Sequence, residues 1–213
     1  MTRYPSAALF DLDGVLIDTE SIYTEIWTEI ERAHPTGIEN FAVKIKGNTL
    51  QRILSTHFPD EAEQADVCAM LKEREEAMEY RLFDGVAAFL RELKAAGIPA
   101  AIVTSSNAAK MERLFGMIDG FRDFFDAVLT DADVERSKPD PEGYCKAAAR
   151  LGADPEQCIV FEDSFSGLEA GRASGARVVA LATTNSRESL AGKADLIIDG
   201  FDGISLATLL ESI

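Results

Sequence analysis

The sequence predicts an α/β protein with a doubly wound, mostly parallel Rossmann-like sheet and an inserted α-helical domain. Six short apolar runs are nearly continuous rather than alternating, as expected for strands that are buried on both faces of a parallel sheet. These runs alternate with helical patterns, which favours helices on both sides of the sheet. One long stretch carries helical patterns without strands, which indicates an insert.

The predicted elements of the core follow one another in a regular order. Strands are predicted at residues 7–10, 98–103, 125–129, 158–161, 177–181 and 196–198. Helices are predicted over residues 86–96, 107–117, 141–151, 166–174 and 205–213. Gly97 and Gly152 stand just past the ends of two of these helices, and Pro141 opens one of them, which are the positions that these residue types favour.

Residues 19–83 form the predicted insert. Isoleucines recur every four residues from Ile22 to Ile30, a second apolar stripe begins at Leu50, and a long charged helix is predicted over residues 62–80. We therefore expect an α/β core made of residues 1–18 and 84–213 and a helical domain made of residues 19–83. The alternative, helices packed flat on the sheet, is disfavoured because the segment is long enough for a small core of its own.

Charge and composition exclude several classes of protein. A net charge of −16 over 213 residues argues against nucleic-acid partners and anionic membrane surfaces, and an anionic ligand would need local positive charge. Cys68, Cys145 and Cys158 lack the spacing of a disulfide framework or a metal site, which favours free thiols in a reducing compartment. The sequence shows no signal peptide and no apolar run of membrane-spanning length. We expect a cytoplasmic monomer.

Polar residues follow the first four predicted strands. They are Asp11 and Asp13 after the first, Thr104, Ser105, Ser106 and Asn107 after the second, Lys138 after the third, and Glu162 and Asp163 after the fourth. Ligands of open parallel sheets bind outside the carboxyl ends of the strands, so we expect these residues to share one crevice. The carboxylates suit Mg²⁺, and the hydroxyls and the lysine suit a phosphate.

Each of these groups also has a structural explanation. The segment from Asp11 to Gly14 fits an acidic turn that closes a strand. Thr104 and the pair Glu162-Asp163 fit helix caps, and a lone lysine such as Lys138 is usually solvated. Four chemically fitting groups at successive strand ends are nevertheless much more specific together than any one of them.

The same segments resemble the haloacid dehalogenase superfamily of phosphotransferases over nearly the whole chain. The matching segments are FDLDGVL at residues 10–16, VTSS at 103–106, SKPDP at 137–141 and FEDS at 161–164. The pattern is similar to the branch with a helical cap after the first strand, which includes β-phosphoglucomutase and sugar-phosphate phosphatases. The combination is specific for the superfamily and much less so for the substrate.

The resemblance implies a role for each matching residue. Asp11 would be the nucleophile that forms an aspartyl phosphate, and Asp13 the general acid and then the general base. Mg²⁺ would be held by the Asp11 carboxylate, the Asp13 backbone carbonyl and Asp163, with Glu162 nearby. Thr104 and Lys138 would hold the phosphoryl oxygens. Asp13 argues against carbon–halogen chemistry, because plain dehalogenases of the superfamily lack the second aspartate and the metal.

The resemblance also implies where the substrate binds. The expected substrate-binding residues are Glu20, Tyr23, Lys46, Gly47 and Asn48 of the cap and Ser105, Ser106 and Asn107 of the core. Leu50 and Tyr23 stand where the mutase carries an arginine and a histidine, which disfavours a mutase. The predicted function is a Mg²⁺-dependent phosphatase of a small phosphorylated metabolite, with a sugar phosphate preferred. The alternatives are a hexose-phosphate mutase and a non-catalytic phosphate-binding regulatory module.

Overall fold

The structure, a computed structural model, describes residues 4–45 and 50–213. The chain divides into two compact units, with boundaries after Asp18 and after Glu79. We call residues 19–79 the helical unit and the remainder the core unit. Residues 80–83, which the sequence prediction placed in the insert, group with the core unit. The reason is local pairing: Phe83 N–H donates to Leu16 O at 3.1 Å, and Asp18 N–H donates to Arg81 O at 3.1 Å.

The core unit is built on one parallel sheet of six strands. The strands are β1 (Ala7–Phe10), β2 (Ala100–Val103), β3 (Ala127–Leu129), β4 (Cys158–Glu162), β5 (Arg177–Leu181) and β6 (Leu196–Ile198). Their order in the sheet is β3-β2-β1-β4-β5-β6, and every neighbouring pair is parallel. The direction of winding reverses between β1 and β4, so a doubly wound sheet opens its crevice at their carboxyl ends.

The helical unit contains four helices among its described residues. They are α1 (Thr19–Ala33), α2 (Phe41–Lys44), α3 (Leu50–His57) and α4 (Glu61–Glu76). Ile26 and Ile30 of the predicted stripe are buried, and Trp27 packs edge-on against Phe41 with ring centroids 6.1 Å apart. Leu50, at the start of the second predicted stripe, is 39% exposed. The buried Ile26, Trp27 and Ile30 nevertheless give this unit an apolar core of its own.

Among the described residues of the core unit, five helices lie between its strands in the chain, and a sixth follows the last strand. They are α5 (Val86–Ala95), α6 (Ala108–Met117), α7 (Glu142–Arg150), α8 (Phe165–Ala173), α9 (Arg187–Leu190) and α10 (Leu206–Glu211). No helix in the described part of the chain is long and apolar enough to cross a membrane.

The strands are buried on both faces, as the continuous apolar runs predict. All residues of β1, β2 and β4 are buried. An aromatic cluster packs around Phe10, whose ring stacks on Phe161 with centroids 4.6 Å apart. A second cluster combines Leu9, Val103 and Val160 with residues of α7 and α8. Burial on both faces immobilises the strand ends on which the polar residues stand.

Candidate active site

Asp11 lies directly after β1 and is only 9% exposed. Lys138 Nζ donates to Asp11 Oδ1, to Val103 O at 3.1 Å and to Glu162 Oε1 at 2.7 Å. Lys138 is therefore not the solvated lysine that the structural explanation predicted. Its ammonium lies between three acceptors at the ends of β1, β2 and β4. Its loop precedes α7, and the Lys138–Pro139 peptide is cis.

Glu162, the last residue of β4, is fully buried. Its Oε1 accepts from Lys138 Nζ and from Tyr144 OH at 2.9 Å. Its Oε2 accepts from the N–H of the following residue and from the N–H and Oγ of Ser164, all at 3.0 Å. A side chain at Gly167 would have its Cβ 1.7 Å from Oε1, so only glycine fits there. Protein donors occupy both carboxylate oxygens, which suits Glu162 to holding Lys138.

Three carboxylates meet beside this lysine. Asp11, Glu162 and Asp163 offer oxygens that all lie within 4.8 Å of one another. Burial raises the pKa of Asp163 to about 7, and the charge of Glu162 adds to the effect. Burial likewise raises the pKa of Asp11 well above its usual value, against the opposing charge of Lys138. With one lysine for three carboxylates, the donor set fits a divalent cation, which would favour the ionised forms.

Lys138 remains charged in this setting. Burial alone would lower the pKa of its ammonium, but the charges of Asp11 and Glu162 outweigh burial and raise it well above the usual value. Burial raises the pKa of Tyr144 as well, so its hydroxyl stays a neutral donor to Glu162. The site therefore holds a permanent positive charge next to a candidate nucleophile, which would reduce the repulsion between Asp11 and a phosphate.

Asp13 has separate partners, although it is two residues from Asp11. Lys110 Nζ donates to Asp13 Oδ1 at 2.6 Å and to Oδ2 at 2.8 Å, and Ser106 Oγ donates to Oδ2 at 3.0 Å. Ser106 is one of the predicted substrate-binding residues, and here its hydroxyl contacts a carboxylate. The sequence prediction missed Lys110, whose signal is its place in the first turn of the helix that follows β2.

The loop after β5 supports the turn after β1 and the loop after β4. Thr183 Oγ1 donates to Gly14 O at 2.5 Å, and Asn185 Nδ2 donates to Asp163 O at 2.9 Å. Gly14 has φ +80°, and a Cβ there would lie 2.0 Å from Asp163 Oδ2. The sequence prediction missed Thr183 and Asn185, although the strand-end rule, applied to the fifth strand, would have found them.

The residues after β2 divide into buried and capping positions. Thr104 is 5% exposed, and its Oγ1 accepts from Ser106 N–H at 3.0 Å. Ser105 is exposed and lines a small cavity of about 20 Å³ together with Thr104 and Lys138. Asn107 is the N-cap of α6, because its Oδ1 accepts from Lys110 N–H at 2.9 Å. The helix cap that the sequence prediction weighed for Thr104 is thus supplied by Asn107.

In the helical unit, Glu20 and Tyr23 line a cavity of about 250 Å³. The cavity is otherwise mostly apolar and includes Trp27 and Leu71. Glu75, which the sequence prediction did not select, also lines it and accepts from Tyr23 OH at 2.9 Å. The predicted substrate-binding residues Lys46, Gly47 and Asn48 lie outside the described residues.

Residues 5–175 match the family model described as haloacid dehalogenase-like hydrolase. The chain belongs to this family. The predicted family and hydrolase class are confirmed, and so is the predicted fold class, an α/β sheet architecture that solved structures of the family share.

Relatives of this hydrolase include phosphatases and a mutase. It is 32% identical over 200 residues to validoxylamine A 7'-phosphate phosphatase of Streptomyces hygroscopicus subsp. limoneus, covering 90% of this chain and 92% of the relative. It is 32% identical to the β-phosphoglucomutase of Mycobacterium bovis, covering 81% and 79%. A solved hydrolase of the same family from Deinococcus radiodurans R1, with bound phosphate and sodium, has a TM-score of 0.83 at 28% identity, covering 97% and 96%.

Proposed function

We propose that this hydrolase is a Mg²⁺-dependent phosphatase that cleaves the monoester of a small phosphorylated metabolite through an aspartyl phosphate on Asp11. The observation that carries the proposal is the setting of Asp11: a buried carboxylate that contacts a charged lysine within a cluster of three carboxylates. Phosphoryl transfer depends on such charge neutralisation and positioning. The phosphatases among the relatives support the same reaction class.

In the first step, an Asp11 carboxylate oxygen attacks phosphorus and the bond to the leaving oxygen breaks. Lys138 and Thr104 hold the equatorial oxygens of the transferring group, because Lys138 contacts Asp11 and lines one small cavity together with Thr104. Asp13, which enters this step in its protonated form, gives its proton to the leaving oxygen, so the departing group leaves as a neutral alcohol. The products of this step are the alcohol, the aspartyl phosphate and an ionised Asp13.

In the second step, water attacks the phosphorus of the aspartyl phosphate. Asp13 takes a proton from that water as the new phosphorus–oxygen bond forms, and the bond between phosphorus and Asp11 breaks. Inorganic phosphate leaves, and both aspartates return to their initial protonation states. The separate surroundings of Asp11 and Asp13 support this division of labour, since each carboxylate has its own lysine.

The residues that would hold Mg²⁺ are the Asp11 and Asp163 carboxylates and the Asp13 backbone carbonyl. The bound cation would neutralise negative charge on the phosphoryl group and on the carboxylates around it. Glu162 would support the site from beside it, because protein donors already engage both of its oxygens. The raised pKa of Asp163 supports this assignment, because burial disfavours its ionised form and a bound cation would favour it.

The preferred substrate class is a sugar phosphate, and the runner-up activity is a hexose-phosphate mutase. The β-phosphoglucomutase among the relatives keeps the second activity open. Leu50 argues against the mutase, because it stands where the resemblance places the mutase arginine. An arginine would bind two oxygens of the second phosphate of a bisphosphate intermediate, and a leucine cannot bind that phosphate.

A substrate panel separates the two activities. The wild-type protein and Asp11→Asn would be given a set of sugar phosphates with Mg²⁺, and free phosphate would be measured. In a second arm, β-glucose 1-phosphate with a trace of glucose 1,6-bisphosphate would be followed for glucose 6-phosphate. We expect Asp11-dependent phosphate release to dominate. Glucose 6-phosphate forming much faster than phosphate would replace the phosphatase with the mutase, and no turnover in either arm would refute both.

A further inference from the structure

The Asp13 carboxylate is held at three points by residues from the start of α6 and the loop before it. Lys110 Nζ reaches both of its oxygens, at 2.6 and 2.8 Å, and Ser106 Oγ reaches Oδ2 at 3.0 Å. Two donors on one oxygen and one on the other fix the rotation of the carboxylate as well as its place. A single ion pair to one oxygen would leave that rotation free.

The lysine is itself held in place. Its Nζ lies 5.9 Å from the ring centroid of Tyr80, a buried residue of the core unit. Arg113, one turn further along α6, donates from Nη2 to Tyr80 OH at 2.6 Å. The phenol ring thus has a hydrogen bond that orients it and a cation near it, and cation–π attraction adds to the restraint on the ammonium.

This arrangement contributes more to position than to stability. The side chains of Lys110 and Asp13 are 23% and 34% exposed, and ion pairs with this much contact with water add little to the free energy of unfolding. Position, by contrast, matters greatly for a group that must reach a reacting oxygen, since a displacement of about 1 Å can lower a rate about 100-fold.

We propose that Lys110 is a positioning residue for Asp13, and that Tyr80 supports it. The proposal rests on the proposed function, in which Asp13 protonates the leaving oxygen. Without the ammonium, the carboxylate would keep one contact with Ser106 and would rotate about it. The loss would fall on substrates whose leaving group needs a proton, and binding of Mg²⁺ would be unchanged because the proposed contact of residue 13 with the metal is its backbone carbonyl.

The test compares two substrates of similar size and different leaving groups. Benzyl phosphate releases an alcohol that requires protonation, and 4-nitrophenyl phosphate releases a stable phenolate. Single-turnover release would be measured for wild type, Lys110→Met, Lys110→Arg and a matched control, Lys94→Met, which alters an exposed lysine of α5. Thermal unfolding and Mg²⁺ titration would accompany each variant.

We expect Lys110→Met to slow benzyl phosphate cleavage about 10-fold to 100-fold and 4-nitrophenyl phosphate cleavage less than about threefold, with Lys110→Arg restoring part of the difference. Equal loss on both substrates, no loss on either, or an arginine variant as selective as the methionine variant would overturn the role of Lys110. Wild type inactive on both substrates would overturn the proposed function instead, so the two failures are distinguishable.

Discussion

The two aspartates of the D-x-D turn occupy contrasting surroundings. Asp11 is buried, shares Lys138 with Glu162, and has Asp163 close by. Asp13 is about a third exposed, lies outside that cluster as far as the described residues show, and contacts Lys110 and Ser106. The contrast teaches how two identical side chains, two positions apart, could take the two proposed roles: burial and charge would suit Asp11 to attack phosphorus, and access and orientation would suit Asp13 to transfer a proton.

The proposed nucleophile should give the largest effect. Asp11→Asn keeps the shape of the side chain and removes the attacking oxygen, so turnover should fall by at least about 10³-fold for every substrate, whatever its leaving group. Steady-state phosphate release measures this, with Asp119→Asn, a change at an exposed turn, as the control. A variant that retained a tenth of wild-type turnover would remove Asp11 from its proposed role.

Asp13→Asn should sharpen the contrast because its effect should depend on the leaving group. We expect benzyl phosphate cleavage to fall about 10²-fold to 10⁴-fold and the first step with 4-nitrophenyl phosphate to fall much less. Mg²⁺ affinity should be retained, as measured by titration. If the two substrates lost activity equally, Asp13 would not be the proton donor.

Asp163→Asn should weaken Mg²⁺ binding and stabilise the metal-free protein. With its pKa raised to about 7, Asp163 binds a proton more tightly in the folded protein than in the unfolded chain. The free energy of unfolding of the metal-free wild type should therefore fall as the pH rises from about 4 to about 7, by at most about 4 kcal/mol from this group.

Denaturant titrations at pH 5 and pH 8 without metal would measure that dependence. The variant should show a smaller difference between the two pH values and a smaller rise in melting temperature on addition of Mg²⁺. Asp119→Asn again serves as the matched control. If the variant kept the full pH dependence of the free energy of unfolding, Asp163 would not be the source of that dependence. If it also kept the full rise in melting temperature with Mg²⁺, Asp163 would not be a ligand of the cation.

The helical unit should give the smallest effect. Tyr23→Phe removes the hydroxyl that donates to Glu75 in the 250 Å³ cavity. We expect the ratio of kcat/KM between one sugar phosphate and another to change by about tenfold or less, since one such hydrogen bond contributes about 0.5–1.5 kcal/mol. Mg²⁺ affinity should stay unchanged. A uniform loss on all substrates would assign the tyrosine to catalysis or folding rather than to specificity.

Much of this molecule follows from local sequence. The apolar runs predicted a parallel sheet because strands buried on both faces have no polar positions, and β1, β2 and β4 are buried throughout. The strand-end rule then selected Asp11, Lys138 and Asp163, since a parallel sheet gathers the residues after its strands at one edge. The predicted monomer and cytoplasmic location remain predictions.

The long-range hydrogen-bond partners at the site were decided by the tertiary structure. Lys110 is 97 residues from Asp13, Tyr144 is 18 from Glu162, and Thr183 is 169 from Gly14. The place of Lys110 in a first helical turn and of Thr183 just after a strand narrows the search, but it does not identify their partners, because a lysine, a tyrosine or a threonine in such a position has many ordinary uses. A residue type and its place on an element can be inferred from the order of the chain, whereas a hydrogen bond between distant segments depends on how helices and loops pack against the sheet.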